Sequence, residues 1–252
     1  MRSLSFLCVV LALSACAKEL PQRWIEPATQ MEFALLPAGD FVVGSPTTES
    51  GHQEDEALYP VRIARPLYMG TREVTRGQWI TVMEGAEAAA KATDGNLPVT
   101  NITWHDARQF LDRLNHAQAW RFRLPSEVEW EYACRAGTTT PYSTGALLST
   151  SEANYNGEFP LPGQSSGENR GRVMPVGSFA ANPWGLFDMH GNVWEWTNDA
   201  YDQERKVIRG GSWRFNADSA RCALRYHHQA QDRGDSLGLR IVRDLTKEEA
   251  ER

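Results

Sequence analysis

The sequence has little positive charge and no obvious repetition. Its 252 residues include 26 lysines and arginines against 32 aspartates and glutamates, which gives a formal net charge of −6 at pH 7. There is no internal repeat and no low-complexity segment. No cluster of basic residues follows the chain, and proteins that bind nucleic acid need such a cluster to contact the phosphates. The composition therefore argues against nucleic acid as a partner.

Long hydrophobic runs are also missing, apart from a short one near the N-terminus. Residues 4–13 are mostly apolar and follow the positive charge of Arg2. A run of this length is too short to span a bilayer comfortably, and a basic residue before a short apolar segment is typical of a secretory signal. We therefore interpret residues 1–15 as a signal peptide.

The end of this segment, Leu13-Ser14-Ala15-Cys16, resembles the lipobox of bacterial lipoproteins. It implies cleavage before Cys16 and attachment of lipid to the thiol and the new amino group of that residue. An ordinary signal peptide with a chance cysteine is the alternative. Ala17 stands where lipoproteins of the inner membrane commonly carry aspartate. We therefore expect a periplasmic protein with a lipid anchor in the outer membrane and with residues 16–30 as its tether.

Cysteine is scarce, since the chain has only four. Under this interpretation Cys8 leaves with the signal and Cys16 carries lipid, so that Cys134 and Cys222 remain. Two cysteines in an oxidising compartment most simply form one disulfide. In the chain-entropy model, closing a loop of about 90 residues stabilises the fold by roughly 4 kcal/mol. Two buried free thiols are the alternative.

Apolar and aromatic residues are plentiful, because 41% of the chain is hydrophobic and it has nine tryptophans. This supply is enough for one sizeable core, and the aromatic share indicates an irregular, loop-rich core. The length suits one domain with extensions.

Capping boxes at residues 75–78, 103–106 and 126–129 predict the starts of three helices. Each helix is expected to begin directly after the first residue of its box. The second has a helical stripe of apolar residues at Ala107, Phe110, Leu111 and Leu114. Gly137 is the expected stop of the third helix. Short strands are predicted within residues 33–44, 61–70, 206–213 and 237–244. The pattern is that of an α+β fold with little regular structure. Residues 138–182 show little periodicity, and a run this long needs something to order it, such as a metal ion.

Eight phrases in order carry a resemblance to a known family. They are PAGDFVVGS, YPVRIARPLYMGTREVTRGQW, LPVTNITWHDARQFLDRLN, FRLPSEVEWEYACRAG, EANYNGEFP, PVGSFAANPWGLFDMHGNVWEWTNDAY, VIRGGSW and GLR. Together they resemble the formylglycine-generating enzyme family, also called the sulfatase-modifying-factor domain, from about residue 32 to 243. The resemblance implies a C-type-lectin-like α+β fold. We therefore expect the domain over residues 31–245, followed by a polar tail at 246–252.

The phrase GLFDMHGNVWEW offers hard oxygen donors, since Asp188 and Glu195 lie a short loop apart and Gly191 permits a tight turn. Oxygen donors without sulfur or imidazole suit calcium. The resemblance implies a calcium site made by Asp188, the Gly191 carbonyl, the Val193 carbonyl and Glu195. It implies a second calcium site made by Asn154, the Tyr155 carbonyl, Glu168 and the Arg170 carbonyl. Asn169 could replace Glu168 in this second set.

The chemistry of the family's active members depends on two further cysteines, which follow the GGSW phrase and bind copper. Paired thiolates suit Cu(I). Counting from Trp213 places Phe215 and Ala220 at these positions, in a segment that is about three residues shorter than in active members. The resemblance also implies that Cys134 and Cys222 form a structural disulfide. We therefore expect no copper and no formation of formylglycine.

Two functions remain compatible with the sequence. One is a non-catalytic binding or regulatory module, like members that regulate type VI secretion by engaging the periplasmic part of a kinase. The other is a periplasmic oxidoreductase that acts on a small peptide-derived ligand such as a siderophore (pyoverdine) precursor. In the second case a groove near Ser212, Trp213, Arg225 and His227 would hold the substrate. The adjacent His227 and His228 would point to opposite faces of a strand and are not expected to bind one ion together.

Overall fold

The computed structural model describes residues 19–116 and 120–251. The predicted signal peptide and Cys16 lie outside these residues. The helices are α1 (Arg76–Met83), α2 (Ala86–Ala89), α3 (Trp104–His116), α4 (Glu127–Arg135) and α5 (Lys247–Ala250), with one 3-10 helix at Ala217–Ala220. The strands are β1 (Arg23–Ile25), β2 (Glu32–Leu36), β3 (Gly39–Val43), β4 (Tyr59–Ile63), β5 (Leu67–Gly70), β6 (Phe122–Arg123), β7 (Trp194–Ala200), β8 (Arg205–Arg209), β9 (Tyr226–Gln229), β10 (Leu237–Gly238) and β11 (Val242–Arg243).

The strands form three sheets. The largest has the order β1-β2-β5-β11-β6 and is antiparallel throughout. A four-stranded sheet has the order β10-β7-β8-β9, and β3 pairs with β4 in a separate ribbon. Strand β9 therefore lies at an edge of the four-stranded sheet. The architecture is mixed α and β with little helix, as predicted.

Local capping chemistry explains where the main helices begin and end. Thr75 and Ser126 form capping boxes at the start of α1 and α4. Helix α3 buries the predicted stripe. Helix α4 ends at Ala136, which is left-handed with φ 46°, and Gly137 follows with φ 89°. The predicted stop at Gly137 thus falls one residue after the observed cap.

The core has two main parts. In the first, α3 packs on the large sheet and on β7, and the ring of Trp79 stacks on Phe110 at 4.9 Å. In the second, Trp130 of α4 is completely buried beside Met189. The second part holds the loop before β7 against α4.

Both ends of the domain extend past the predicted boundaries. Strand β1 lies within the predicted tether, where Trp24 packs on Phe33 at 5.4 Å and on the ring of Trp120 at 4.7 Å. Helix α5 lies within the predicted tail, and its Glu249 pairs with the buried Arg243 at 2.9 Å. The half-buried ring of Trp24 packs the N-terminal segment onto the domain. The ion pair between Glu249 and Arg243 holds the C-terminal segment in the same way.

Residues 136–193 contain no helix or strand, in agreement with the irregular stretch expected from the sequence. Side chains fasten this segment to the rest of the fold. Asn182 donates to the carbonyl of Ala133 at 2.7 Å, and the Tyr142 hydroxyl donates to the carbonyl of Ala217 at 2.9 Å. Across the described residues, no helix has the length and apolar character that a membrane crossing requires.

Candidate functional site

The segment that carries copper in active family members lies between β8 and β9. Gly210 and Gly211, both with positive φ, let the chain leave β8 and fold back closely. A Cβ atom on Gly211 would come within 2.8 Å of the Ser219 carbonyl. The two positions expected for copper cysteines differ in exposure, because Phe215 is 38% exposed and Ala220 is buried. Phenylalanine and alanine provide no metal ligand.

The cysteines of the domain are joined to each other. Cys134 of α4 forms a disulfide with Cys222, 88 residues away, so this bond ties the helix to the segment after the 3-10 helix. Of the other two cysteines of the chain, Cys8 belongs to the predicted signal peptide and Cys16 is the predicted lipidation site. The domain therefore has no thiol pair for copper.

Phe215 belongs to a connected group of rings at the surface, of which His227 is half-buried. We call Tyr201, Phe215, Tyr226 and His227 the aromatic surface. The ring of Phe215 meets the buried Trp194 edge-on at 5.7 Å, and Tyr226 stacks on the same indole at 5.6 Å. The ring of His227 lies 4.2 Å from that of Tyr201. The surface thus combines the loop after β8, the end of β7 and the edge strand β9.

Arginines border the aromatic surface. Arg205 lies over the ring of Tyr201 at 4.9 Å and donates to His227 at 3.2 Å. Burial, and then the positive charge of Arg205, lower the pKa of His227. Both effects favour the neutral form of this imidazole. His228 turns away and pairs with Asp232 at 3.1 Å, so the two histidines do not share a site.

The four groove residues expected from the sequence lie in different surroundings. Ser212 is buried, and its hydroxyl has no hydrogen-bond partner among the described residues. The indole of Trp213 lies under the guanidinium of Arg214 at 4.3 Å. Arg225 is bound by Glu127 at 2.6 Å. Only His227 belongs to the aromatic surface.

The residues of the first expected calcium site form a curled loop. Asp188 and Gly191 have positive φ, and a Cβ atom on Gly191 would lie 2.3 Å from the Asn154 carbonyl oxygen. Asp188 Oδ2 accepts the backbone N–H of Gly177 at 2.5 Å, whereas Asp188 Oδ1 is buried and has no partner among the described residues. Asp188 therefore has an oxygen free to bind a cation.

Glu195 differs from Asp188, because both of its carboxylate oxygens have partners. Its carboxylate faces the buried Arg240, with a shortest contact of 2.8 Å, and Oε2 also accepts the indole N–H of Trp130 at 2.6 Å. A guanidinium already neutralises this carboxylate. The calcium site expected at Asp188, Gly191, Val193 and Glu195 therefore stays a prediction, in which Glu195 would be shared with Arg240.

A third carboxylate, Glu73, lies beside Asp188 and was not expected from the sequence. The two carboxyl groups are near enough for each to affect the ionisation of the other. Burial, and next the charge of Asp188, raise the pKa of Glu73 well above its usual range, and burial also raises the pKa of Asp188. Glu73 follows β5 in the phrase TREVT, which resembles the family but carries no metal-ligand spacing. Only the folded chain shows that Glu73 is buried near Asp188.

Asn154 and Glu168 of the second expected calcium set lie in different surroundings. Asn154 is buried and donates to the Arg172 carbonyl at 3.0 Å and to Asn192 Oδ1 at 3.1 Å. The carboxylate of Glu168 is 61% exposed and pairs with the Arg170 side chain at 2.8 Å. Asn154 instead adjoins the first loop, through a bridge with Gly191.

Comparisons with known proteins identify the family and the fold of this chain. The family model described as "Sulfatase-modifying factor enzyme 1-like domain" matches residues 20–245. The chain is 37% identical over 157 residues to "Inactive C-alpha-formylglycine-generating enzyme 2" of Bos taurus, which covers 58% of this chain and 50% of that protein. It is 29% identical over 224 residues to "Chaperone protein LppX" of Paenibacillus barcinonensis. This match covers 70% of this chain and 79% of that protein. The chain spans about half the length of the first of these curated relatives.

A solved structure is similar over nearly the whole chain. PvdO from Pseudomonas aeruginosa superposes with a TM-score of 0.76 at 26% identity and covers 90% of this chain and 100% of that one. The α+β, C-type-lectin-like fold class is thereby confirmed. Since the family model matches most of the chain, the protein belongs to the sulfatase-modifying-factor family, which includes formylglycine-generating enzymes and inactive relatives.

Proposed function

We propose that this protein is a periplasmic accessory module that binds a protein partner and does not generate formylglycine. The observation that carries the proposal is Phe215, an exposed ring at the position where active members carry the first copper cysteine. Copper chemistry needs paired soft ligands, and the domain's cysteines are bound to each other. The site has exchanged metal ligands for a contact surface.

The composition of the aromatic surface suits a protein interface. Tyrosine, tryptophan and arginine are the residues that contribute most binding energy at interfaces. The rings of tyrosine and tryptophan also bury a large area at low entropic cost. Tyr226 is 42% exposed, and its ring is held by stacking on Trp194. A ring that is fixed before binding loses little freedom on contact. The surface is therefore preorganised for a partner.

The relatives support a role without catalysis. One is named as inactive and another as a chaperone, and this chain covers 79% of the latter. We propose a role like that of the type VI secretion regulators expected from the sequence, in which the module engages the periplasmic part of a kinase. The lipid on Cys16 would hold it at the outer membrane, facing the periplasm.

A second candidate is a periplasmic oxidoreductase that acts on a peptide-derived small molecule such as a siderophore precursor. The structural similarity to PvdO, which extends over the whole of that chain, supports this second candidate. It needs a redox metal or another oxidant, so metal analysis separates the two. Calcium alone in the purified domain favours the module, whereas iron or copper favours the oxidoreductase.

The test uses two matched positions for a photo-crosslinking phenylalanine analogue in living cells. One replaces Phe215, and the control replaces Ile25, which is 55% exposed and lies on β1, the edge strand of the other large sheet. We expect a crosslink to one periplasmic protein from position 215 alone, and loss of that product in a Tyr226→Ala background. Equal products from both positions, or none from position 215, contradict the proposal.

Activity and phenotype complete the test. With Cu(I) supplied, we expect no conversion of a sulfatase-derived peptide to its formylglycine form. Deletion of the gene is expected to impair secretion signalling and leave siderophore fluorescence normal. Copper at unit stoichiometry with oxidation of the peptide, or loss of siderophore fluorescence alone, overturns the proposal.

A further inference from the structure

A cavity of about 520 Å³ lies between β3, the loop that follows it and the C-terminal end of α4. Residues 137–139 and Trp184 complete its lining. Among the described residues that line it, none belongs to the aromatic surface or to the segment between β8 and β9. Cavities that hold small molecules in proteins commonly have volumes of about 300–1,000 Å³. This cavity is therefore large enough for a small organic ligand.

Three aromatic rings line the cavity side by side. Tyr132 of α4 is 5% exposed, and its ring lies 5.0 Å from that of Phe41 on β3 and 4.6 Å from that of Trp184. The planes of these neighbouring rings are turned by 50° and 62°, so the three rings form a corner and not a flat stack. The Tyr132 hydroxyl donates to the Pro37 carbonyl at 3.2 Å, which holds the central ring in place. A ligand that contacts rings already held in this way loses little free energy to ordering them.

The charges at the cavity favour a positive ligand. The carboxylate of Asp40 lines the cavity and is 73% exposed, and its ion pair with the equally exposed Arg62 is long, at 3.9 Å. An exposed pair of this kind contributes little, so the carboxylate can serve a ligand. Burial, and next the negative charge of Asp40, raise the pKa of Tyr132. The central ring therefore lies in the negative field of Asp40.

The end of α4 adds to this negative field. Gly137 and Thr138, which follow α4 directly, are part of the lining. The C-terminal end of a helix carries a partial negative charge and attracts cations. Arg135 also lines the cavity, but its guanidinium is buried, pairs with Glu131 at 2.8 Å and donates to the Gly44 carbonyl at 2.6 Å. Arg135 is thus engaged within the fold, and Asp40 is the charge that an entering ligand meets.

We propose that this cavity binds a small organic cation that carries a quaternary ammonium group. The ammonium would lie against the rings of Phe41, Tyr132 and Trp184, with Asp40 as its counter-charge. Quaternary ammonium ions are attracted by the faces of aromatic rings and have no N–H that needs a hydrogen-bond acceptor. Val42 and Leu58 line the same cavity and are 50% and 53% exposed, so they offer an apolar contact to the rest of the ligand.

The test compares two probes of the same shape. Choline carries the quaternary ammonium, and 3,3-dimethylbutan-1-ol has an uncharged carbon in place of the nitrogen. The purified full-length protein is titrated with each probe by calorimetry, and contact is followed by saturation-transfer NMR. We expect choline to bind at least about tenfold more tightly than the alcohol, because the ring faces and the carboxylate act on its charge.

Variants locate the bound cation. We expect Asp40→Asn and Trp184→Leu each to weaken choline binding by at least about fivefold, and Asp40→Asn to leave binding of the alcohol unchanged. Asp112→Asn makes the same change of charge on the exposed face of α3 and is the matched control, with choline binding expected to equal that of the wild type. The side chain of Asp40 is exposed, so its variant decides the outcome if Trp184→Leu does not fold.

Three results overturn the proposal. Equal affinities for choline and the alcohol show a merely apolar cavity. Absence of any signal from choline at about 10 mM, ten times a millimolar dissociation constant, shows that the cavity does not take this group. Choline binding that Tyr226→Ala removes and Asp40→Asn leaves unchanged shows that the cation lies on the aromatic surface instead.

The cation site and the accessory role can fail separately. Choline titration reads the cavity beside α4, whereas crosslinking from position 215 reads the aromatic surface. Loss of one result therefore leaves the other standing.

Discussion

At the scale of single residues, Glu131 connects three parts of the fold. Its carboxylate accepts the backbone N–H of Gly44 at 2.9 Å, Arg135 at 2.8 Å and Arg209 at 2.7 Å. Glu131 and Arg209 are completely buried. Arg209 also donates to the Ala223 carbonyl at 2.8 Å, so Glu131 reaches from β3 to the segment that follows the disulfide.

The charge of Glu131 is therefore needed for stability. Glu131→Gln leaves two buried guanidinium groups with too little negative charge, and breaking such pairs costs about 3–5 kcal/mol. We expect that loss in the free energy of unfolding measured with urea. Glu158→Gln, on an exposed loop, is the control and should change stability by less than about 0.5 kcal/mol. A similar small change for Glu131→Gln contradicts the assignment.

At the scale of elements, a second ion pair fastens the loop between β3 and β4 to the segment before Cys222. Arg221 contacts both oxygens of Glu56 at 2.8 Å, and Ser45 donates to Glu56 at 2.6 Å. Burial opposes ionisation of Glu56, but the bonds from Arg221 and Ser45 outweigh it and lower its pKa. Glu49 and His52 also face this group, at 2.8 Å from Arg221 and 3.9 Å from Glu56.

The lowered pKa of Glu56 predicts a loss of stability in acid. As the pH falls below 4.5, the usual value for glutamate, the unfolded chain takes up a proton before the folded protein does. The stability that Glu56 supplies is present above this pH and is lost as the pH falls through the folded pKa. We expect Glu56→Gln to reduce the pH slope of the unfolding free energy there by at most about 1.4 kcal/mol per pH unit. An unchanged slope contradicts this.

The disulfide acts on the same scale, because it joins α4 to the segment that contains Phe215 and Ala220. Replacing both cysteines with serine should cost about 2–5 kcal/mol of unfolding free energy. Dithiothreitol should lower the stability of the wild type toward that of the variant and leave the variant unchanged. Equal urea midpoints for the oxidised wild type and the variant contradict a stabilising role.

At the scale of the whole molecule, features set by neighbouring residues could be predicted from the sequence. The capping residues Thr75 and Ser126 act within one helical turn, and the absence of a copper pair follows from counting cysteines. Burial of Glu73 and Glu131 could not be predicted, because their partners lie far along the chain. Glu131 lies in the polar phrase PSEVEWE, and its partner Arg209 comes from another element 78 residues further along the chain.

The same separation explains the limits at the site. Asp188 could be predicted as a calcium ligand from the sequence, because its carboxylate and the tight turn at Gly191 lie in one short phrase. Glu195 pairs with Arg240, which lies 45 residues away in sequence. The spacing of residues within a motif does not predict such a long-range contact. Exposure of Phe215 likewise depends on how β9 and Trp194 meet beneath it.

Attachment to the membrane is the last property that concerns the whole molecule. Under the proposed role, attachment depends on lipid at Cys16. Stable anchoring takes more than one acyl chain, and the modified thiol and amino group of a lipoprotein supply several. We expect the wild type to fractionate with the outer membrane and Cys16→Ser to lose that association. Cys8→Ser, which leaves the lipobox intact, should behave like the wild type. Membrane association that persists in Cys16→Ser shows that the anchor lies elsewhere.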